Sequence, residues 1–157
     1  MRILGIDPGT AITGFGVIEV GKDTKMVDAG VVRTPADETL TARLHTIHKE
    51  LTELIEEYKP DQIAVEELYF AANVTTAISV SHARGVVLLC AAEAQVDEIG
   101  EYTPLQIKQA LTGYGRAEKH QIQEMVRLVL GLNQPPKPDD AADALAVAIC
   151  HSQTRAA

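Results

Sequence analysis

The sequence predicts an α/β protein in which a mixed five-stranded sheet carries helices on its faces. Three observations point there. Residues 1–34 hold three strand-like apolar runs joined by turns too short for anything but antiparallel neighbours. Two later apolar runs, at 61–67 and 96–103, each follow a stretch with helical spacing, as strands added through helices do. From residue 103 onward the signatures are helical.

In order, Ile3, Leu4 and Ile6 make a short buried strand, and Pro8-Gly9 turns it, so Asp7 falls at the strand's C-terminal end. The second strand is "TGFGVIEV" (13–20), where Gly14 and Gly16 leave room for a ligand or another backbone to come close. "KMVDAGVVRT" (25–34) is the third. "TLTARLHTIHKELTELIEEY" (39–58) carries the apolar stripe Leu40, Leu44, Ile47, Leu51, Leu54 and Ile55 of an amphipathic helix that stops at Lys59-Pro60.

"DQIAVEE" (61–67) is the fourth strand, its apolar run ending at Glu66. "VTTAISVSHARGVVLLCAAEAQ" (74–95) is a helix apolar on much of its surface, with Gly85 at its middle. "VDEIGEYT" (96–103) is the fifth strand. Thr103 then caps, and Pro104 opens, the helix "TPLQIKQALTG" (103–113). "AEKHQIQEMVRLVLG" (117–131) is the next helix, "NQPPKP" (133–138) a rigid loop, and "DDAADALAVAICHS" (139–152) the last helix.

With 157 residues and 46% hydrophobic content, the chain is expected to form one domain, 1–157, with a sizeable core. Nothing near Met1 resembles a signal peptide, which predicts a soluble, cytoplasmic protein. Cys90 and Cys150 lie in apolar helical surroundings and read as small hydrophobes, with neither a disulfide framework nor zinc spacing. The net charge of −8 argues against nucleic acid as a partner, since phosphates are held by Lys and Arg. The distribution softens that objection, because acids crowd residues 36–68 whereas 103–130 carries Lys108, Arg116, Lys119 and Arg127 against Glu118 and Glu124.

Four acids stand where this topology would gather them. Asp7 and Glu66 close strands whose C-terminal ends would lie side by side, at the crevice where open α/β sheets bind ligands. Asp140 and Asp143, three apart in the last helix's first turn, share one helix face. Each also has a local explanation: Asp7 can cap its turn, Asp139 can cap the helix, and Asp140 and Asp143 suit a helix N-terminus. Together, four converging carboxylates either take up protons or draw in hard divalent cations such as magnesium. Two such ions about 3.5–4 Å apart activate a water and stabilise a leaving oxygen in phosphodiester hydrolysis.

The blocks "GIDPGTAITGFGV", "AVEELYF", "HARGVV", "GRAEKHQIQEMV" and "DDAADALAVAI" resemble, in order and spacing and over nearly the whole chain, the RuvC family of Holliday junction resolvases. The resemblance implies a ribonuclease H-like fold and a homodimeric endonuclease that nicks two opposed strands of a four-way DNA junction in recombination and repair. It implies two Mg2+ ions per site, replaceable by Mn2+, and RuvA–RuvB as the branch-migration partner. Asp7, Glu66, Asp140 and Asp143 match the family's catalytic, metal-binding acids; Glu67 and Asp139 are neighbours without that role. Tyr69 matches an aromatic that stacks on an unpaired junction base, with Phe70 beside it, a contact worth about 1–3 kcal/mol. Lys108 and Lys119 match basic positions near the active site, Arg116 and His120 are candidate phosphate contacts, and the helix around Ala83, Gly85 and Val86 is where two copies would pack. His45 and His48 lie in an acidic helix and are expected to face solvent.

Rival readings are a ribonuclease H-like enzyme acting on structured RNA, an ATP-dependent kinase or actin-like protein, and an idle DNA-binding scaffold. The junction-reading aromatic and the "DDAAD" helix disfavour the first, the single-domain length disfavours the second, and the full set of acids disfavours the third.

Overall fold

The computed structural model describes residues 1–67 and 73–155. Five strands form one mixed sheet: β1 (Arg2–Asp7), β2 (Ile12–Val20), β3 (Thr24–Arg33), β4 (Gln62–Glu66) and β5 (Glu98–Tyr102), in the spatial order β3-β2-β1-β4-β5. The first three pair antiparallel through short turns, while β4 and β5 join in parallel after helical crossovers. Asp7 lies opposite Gly14 in the β1/β2 ladder, and Glu66 lies opposite Tyr102 in the β4/β5 ladder.

Strand alternation decides which side chains meet which helices. Leu4, Ile6, Phe15, Val17, Ile63 and Val65 face α1 (Leu40–Tyr58) and α2 (Val74–Glu93), burying Ile47, Leu51, Ala83 and Val87. The opposite face, with Ile3, Ile18 and Ala64, packs on α3 (Pro104–Thr112), α4 (Lys119–Val129) and α5 (Asp139–Arg155). Asp7 shares its parity with Ile3 and Gly5, and Glu66 with Ala64, so the same alternation turns both carboxylates toward the α5 face.

What brings α5 so close is the absence of side chains beneath it. A Cβ on Gly5 would overlap the Ala144 carbonyl, one on Gly14 the Asp140 carbonyl, and one on Gly16 the Leu145 side chain at 2.7 Å. Gly14 and Gly16, read from sequence as room for a ligand or another backbone, admit the backbone of α5. Ala144 and Ala148 meet Gly5 there, and Ala141, Ala142 and Ala146 are buried along the same helix. Dispersion contacts accumulate at such close range, and apolar burial contributes about 25 cal/mol per Å².

Helix limits follow local capping. Thr39 accepts from the Ala42 N–H, and α1 ends at Lys59, left-handed at φ 45°, before Pro60. Thr103 and Gln106 form the reciprocal capping box of α3, with Pro104 in the first turn as expected. The Gln121 side chain reaches back to the Glu118 N–H and starts α4 at Lys119, two residues later than the apolar pattern suggests. Asp139 is not a cap: α5 begins on it, with the Pro138 carbonyl accepting from Ala141 and Ala142. The helix also runs past Ser152 to Arg155, three residues beyond the expected span.

By length and composition α2 is apolar enough to cross a membrane, yet it lays Ala77, Ala83, Val87, Cys90 and Ala91 against the protein. Both cysteines are buried free thiols, and burial raises their pKa values. His45 is exposed, whereas His48 pairs with Glu93 across α1 and α2 at 2.9 Å.

Candidate active site

The four acids predicted from sequence converge. Asp7, Asp140 and Asp143 each offer a carboxylate oxygen within 4.8 Å of the others. Glu66 joins them through Asp7, which in its protonated form donates a hydrogen bond to Glu66. β1 and β4 supply one half of the cluster from parallel strand ends, and α5 supplies the other from its first turn.

The charges there are frustrated. Burial first, and then the charge of Glu66, push the Asp7 carboxyl up to about 9. Burial also raises Glu66, although its hydrogen bond with Asp7 works the other way. Asp143 is raised by burial despite the Lys119 ammonium. Partly desolvated carboxylates this close hold protons unless positive charge comes near.

That donor set suits a hard divalent cation. It is made entirely of carboxylate oxygen, without thiolate or imidazole, and its oxygens are near enough to one another to share an ion. Lys119 already brings a positive charge in, its Nζ lying 3.3 Å from Asp143 Oδ2 and 3.4 Å from Asp139 Oδ2. Asp139 itself stands outside the cluster and accepts from Gln123 Nε2 at 3.0 Å.

A cleft of about 240 Å³ opens from the acids and is lined by Glu66, Lys108, Lys119 and Asp143 over an apolar floor of Ile107, Ile122 and Ala146. Lys108 and Lys119 thus meet in one place from α3 and α4. Arg116 is exposed on the connection between those helices, and exposed His120 lies with Nδ1 3.3 Å from Glu118. Tyr69 and Phe70 lie outside the described residues. Glu67, just past β4, donates its backbone N–H to the Tyr102 carbonyl at 2.7 Å.

Two polar features had no signal in the sequence. Arg84 of α2 pairs with Glu101 of β5, joining helix to sheet edge. His151 of α5 is fully buried between Tyr102 and Gln62. Neither partner is near in the chain, so spacing could not reveal them.

The family profile described as "Crossover junction endodeoxyribonuclease RuvC" matches residues 3–151. A protein of that name from Alkaliphilus metalliredigens is 55% identical over 155 residues, covering 98% of this chain and 94% of that protein. The Thermus thermophilus RuvC structure superposes with a TM-score of 0.92 at 39% identity, covering 99% of this chain and 96% of that one. T. thermophilus RuvC in complex with Holliday junction substrate superposes at 0.90 and 35% identity, with the same coverage.

Proposed function

The chain belongs to the RuvC family of crossover junction endodeoxyribonucleases, with its ribonuclease H-like fold, and on that premise we propose that it resolves Holliday junctions by magnesium-dependent nicking of two opposed strands. The observation that carries this reading is the clustering of Asp7, Asp140 and Asp143, with Glu66 beside Asp7, at a cleft that Glu66 and Asp143 line together with Lys108 and Lys119. We propose that these four acids hold two Mg2+ ions, with Mn2+ as a substitute. Such a pair supplies an activated water and charge compensation on the departing 3′ oxygen.

The chain's own contribution is placement. Strand ends and the first turn of α5 fix the carboxylates before substrate arrives, so little reorganisation remains at the moment of reaction. Asp7 must give up the proton that its buried position holds. Lys119 must leave Asp143, and it then stands with Lys108 at the wall of the cleft, where a scissile phosphate approaching the acids gains two cationic neighbours. Hydrolysis breaks the P–O3′ bond, adds the water oxygen to phosphorus and leaves 5′-phosphate and 3′-hydroxyl ends. Arg116 and His120 extend the basic wall despite the chain's net charge of −8, and Tyr69, with Phe70 beside it, is assigned to stacking at the crossover.

A four-way junction has approximate two-fold symmetry, which an isologous homodimer matches. The surface that supports a dimer is an exposed stripe on α2: Ile78 (53% exposed), His82, Gly85 and Leu89 (52%) recur at helical spacing. Gly85 has open space where a Cβ would stand, so a second helix can approach closely there. Ala83, expected on this face, is fully buried in the monomer's own core. Leu89→Glu is expected to shift the protein from dimer to monomer in sedimentation velocity with little loss of thermal stability; an unchanged dimer counts against the stripe. Family membership also supports cytoplasmic action with RuvA–RuvB.

The test of function compares a synthetic four-way junction with a linear duplex of the same arms, with and without magnesium. Paired symmetric nicks confined to the junction are expected; cleavage of structured RNA instead, or binding without turnover, overturns the reading. Within that assay Glu66→Gln should remove cleavage, because Glu66 contacts Asp7 and lines the cleft. Glu67→Gln should stay within a few-fold of wild type, and the reverse order shows that the other glutamate serves the metal.

A further inference from the structure

The site is assembled from two pieces that share no chain segment: a sheet half bearing Asp7 and Glu66, and a helix half bearing Asp140 and Asp143. An axial slip of α5 by one residue moves its carboxylates by about 1.5 Å relative to the sheet. The contact between the halves seats the helix backbone on Gly5 and Gly14 and packs Leu145 over Gly16 beside Ile3 and Ile18, apolar contacts that hold the helix close without the directionality of a hydrogen bond.

A buried polar residue interrupts that apolar contact. His151 is 0% exposed, three helical turns below Asp140, with Nδ1 2.7 Å from the Tyr102 hydroxyl and Nε2 2.9 Å from Gln62 Oε1. Its ring rests on Gly100, where a Cβ would come within 2.5 Å of Nδ1, and it meets Tyr102 edge to face with centroids 5.6 Å apart. A single tautomer satisfies both contacts: Nε2 donates to the Gln62 amide oxygen and Nδ1 accepts from the Tyr102 hydroxyl.

Both partners bracket Glu66. Gln62 opens β4, the strand that ends on Glu66. Tyr102 sits opposite Glu66 in the ladder, and its carbonyl accepts from the next backbone N–H, that of Glu67. An aliphatic side chain would fill the space between α5 and the sheet without any directional requirement. Two buried hydrogen bonds in defined directions instead favour one axial and rotational setting of the helix, because a shifted setting strands a buried donor or acceptor.

We propose that His151 is a positioning residue for the metal site: by pinning α5 to Gln62 and Tyr102 it sets the spacing between the Asp140/Asp143 pair and Glu66, and hence the affinity for divalent cation. This rests on the metal-dependent reading of the acids given above. Gln62, Tyr102 and His151 are not among the residues that line the cleft, so loss of the pin should leave junction binding alone.

The test compares wild type with His151→Leu/Gln62→Leu, which removes both members of one hydrogen bond and repacks the space with apolar groups, and with His151→Asn, whose amide can still reach Tyr102. Mg2+ binding to DNA-free protein is followed by calorimetry, junction affinity is measured in chelator, thermal melting is recorded, and single-turnover cleavage is titrated with Mg2+. The double-leucine variant is expected to melt within a few degrees of wild type and bind junction equally well, while Mg2+ binding and the Mg2+ midpoint for cleavage both weaken about 10-fold. His151→Asn should recover part of that loss. Wild-type Mg2+ affinity in the double-leucine variant overturns the proposal, as does a loss that merely tracks the fall in melting temperature without recovery by asparagine. If wild type binds Mg2+ but does not cut junctions, the functional reading fails while the calorimetric comparison still decides the pin.

Discussion

Asp7→Asn is expected to lower single-turnover cleavage of a four-way junction about a thousandfold or more, while junction affinity measured in chelator stays within a few-fold of wild type. Asp7 is the acid that links the rest: its carboxyl hydrogen-bonds Glu66 and has an oxygen within 4.8 Å of those of Asp140 and Asp143. Asparagine keeps the shape and removes the charge, and loss of a single preorganised group at a transition state costs about 10²–10³ in rate. Loss of a shared cation ligand adds to that. Cleavage retained within tenfold would show that the remaining acids suffice and that Asp7 serves its turn.

The same substitution should make the metal-free protein more stable. The Asp7 carboxyl ionises near 4 in an unfolded chain but is pushed up to about 9 in the fold, so folding stability is fully present below the lower value and declines as pH rises toward the higher one. At pH 7–8 in chelator, Asp7→Asn escapes that decline and should melt a few degrees above wild type. The gap should close near pH 4, where both are uncharged at this position, and it should narrow on adding magnesium, which favours the wild-type carboxylate. A melting temperature below wild type at pH 8 contradicts this account.

Gly14→Ala is the second large expected effect, and it acts through the seat rather than the chemistry. The added methyl would overlap the Asp140 carbonyl and stand 3.2 Å from the Asp140 Cβ, atoms of the helix backbone and its root that cannot rotate away. α5 must lift, which costs about 1–3 kcal/mol or more. It also carries Asp140 out of place. The urea midpoint and the cleavage rate should therefore fall together, whereas Gly21→Ala, whose nearest neighbour is 3.9 Å off, should change stability by no more than about 0.5 kcal/mol. Unaltered stability in Gly14→Ala would mean that the helix has room the structure does not show.

The parts of this molecule that depend on short-range physics could be read from its residues. Strand parity alone turns Asp7 and Glu66 toward one face, the short turns force the first three strands to be neighbours, and Thr103-Pro104 announces α3. Where prediction and structure part, a distant neighbour decides. Gly14 and Gly16 signalled a close approach, but that the approaching backbone is α5 depends on a contact spanning most of the chain. Ala83 was expected where two copies would pack, and the packing of α2 on α1 and the sheet places it in the core. Asp139 had the right chemistry for a cap, yet the Pro138 carbonyl took that position. His151 gave no sign at all, since Gln62 lies 89 residues away and Tyr102 49.

The glycine seat also determines which parts of the protein fluctuate. Amides in the middle of α5, enclosed between the sheet and the helices α3 and α4, can meet solvent only when the whole fold opens, and so belong to the last cooperative unit to exchange hydrogen. Lys119 stands at the exposed start of α4, and exposed side chains change rotamer in picoseconds to nanoseconds. Two of the acids thus stand on the first turn of the helix whose middle forms part of the core, while the lysine that must leave Asp143 stands on an exposed helix start.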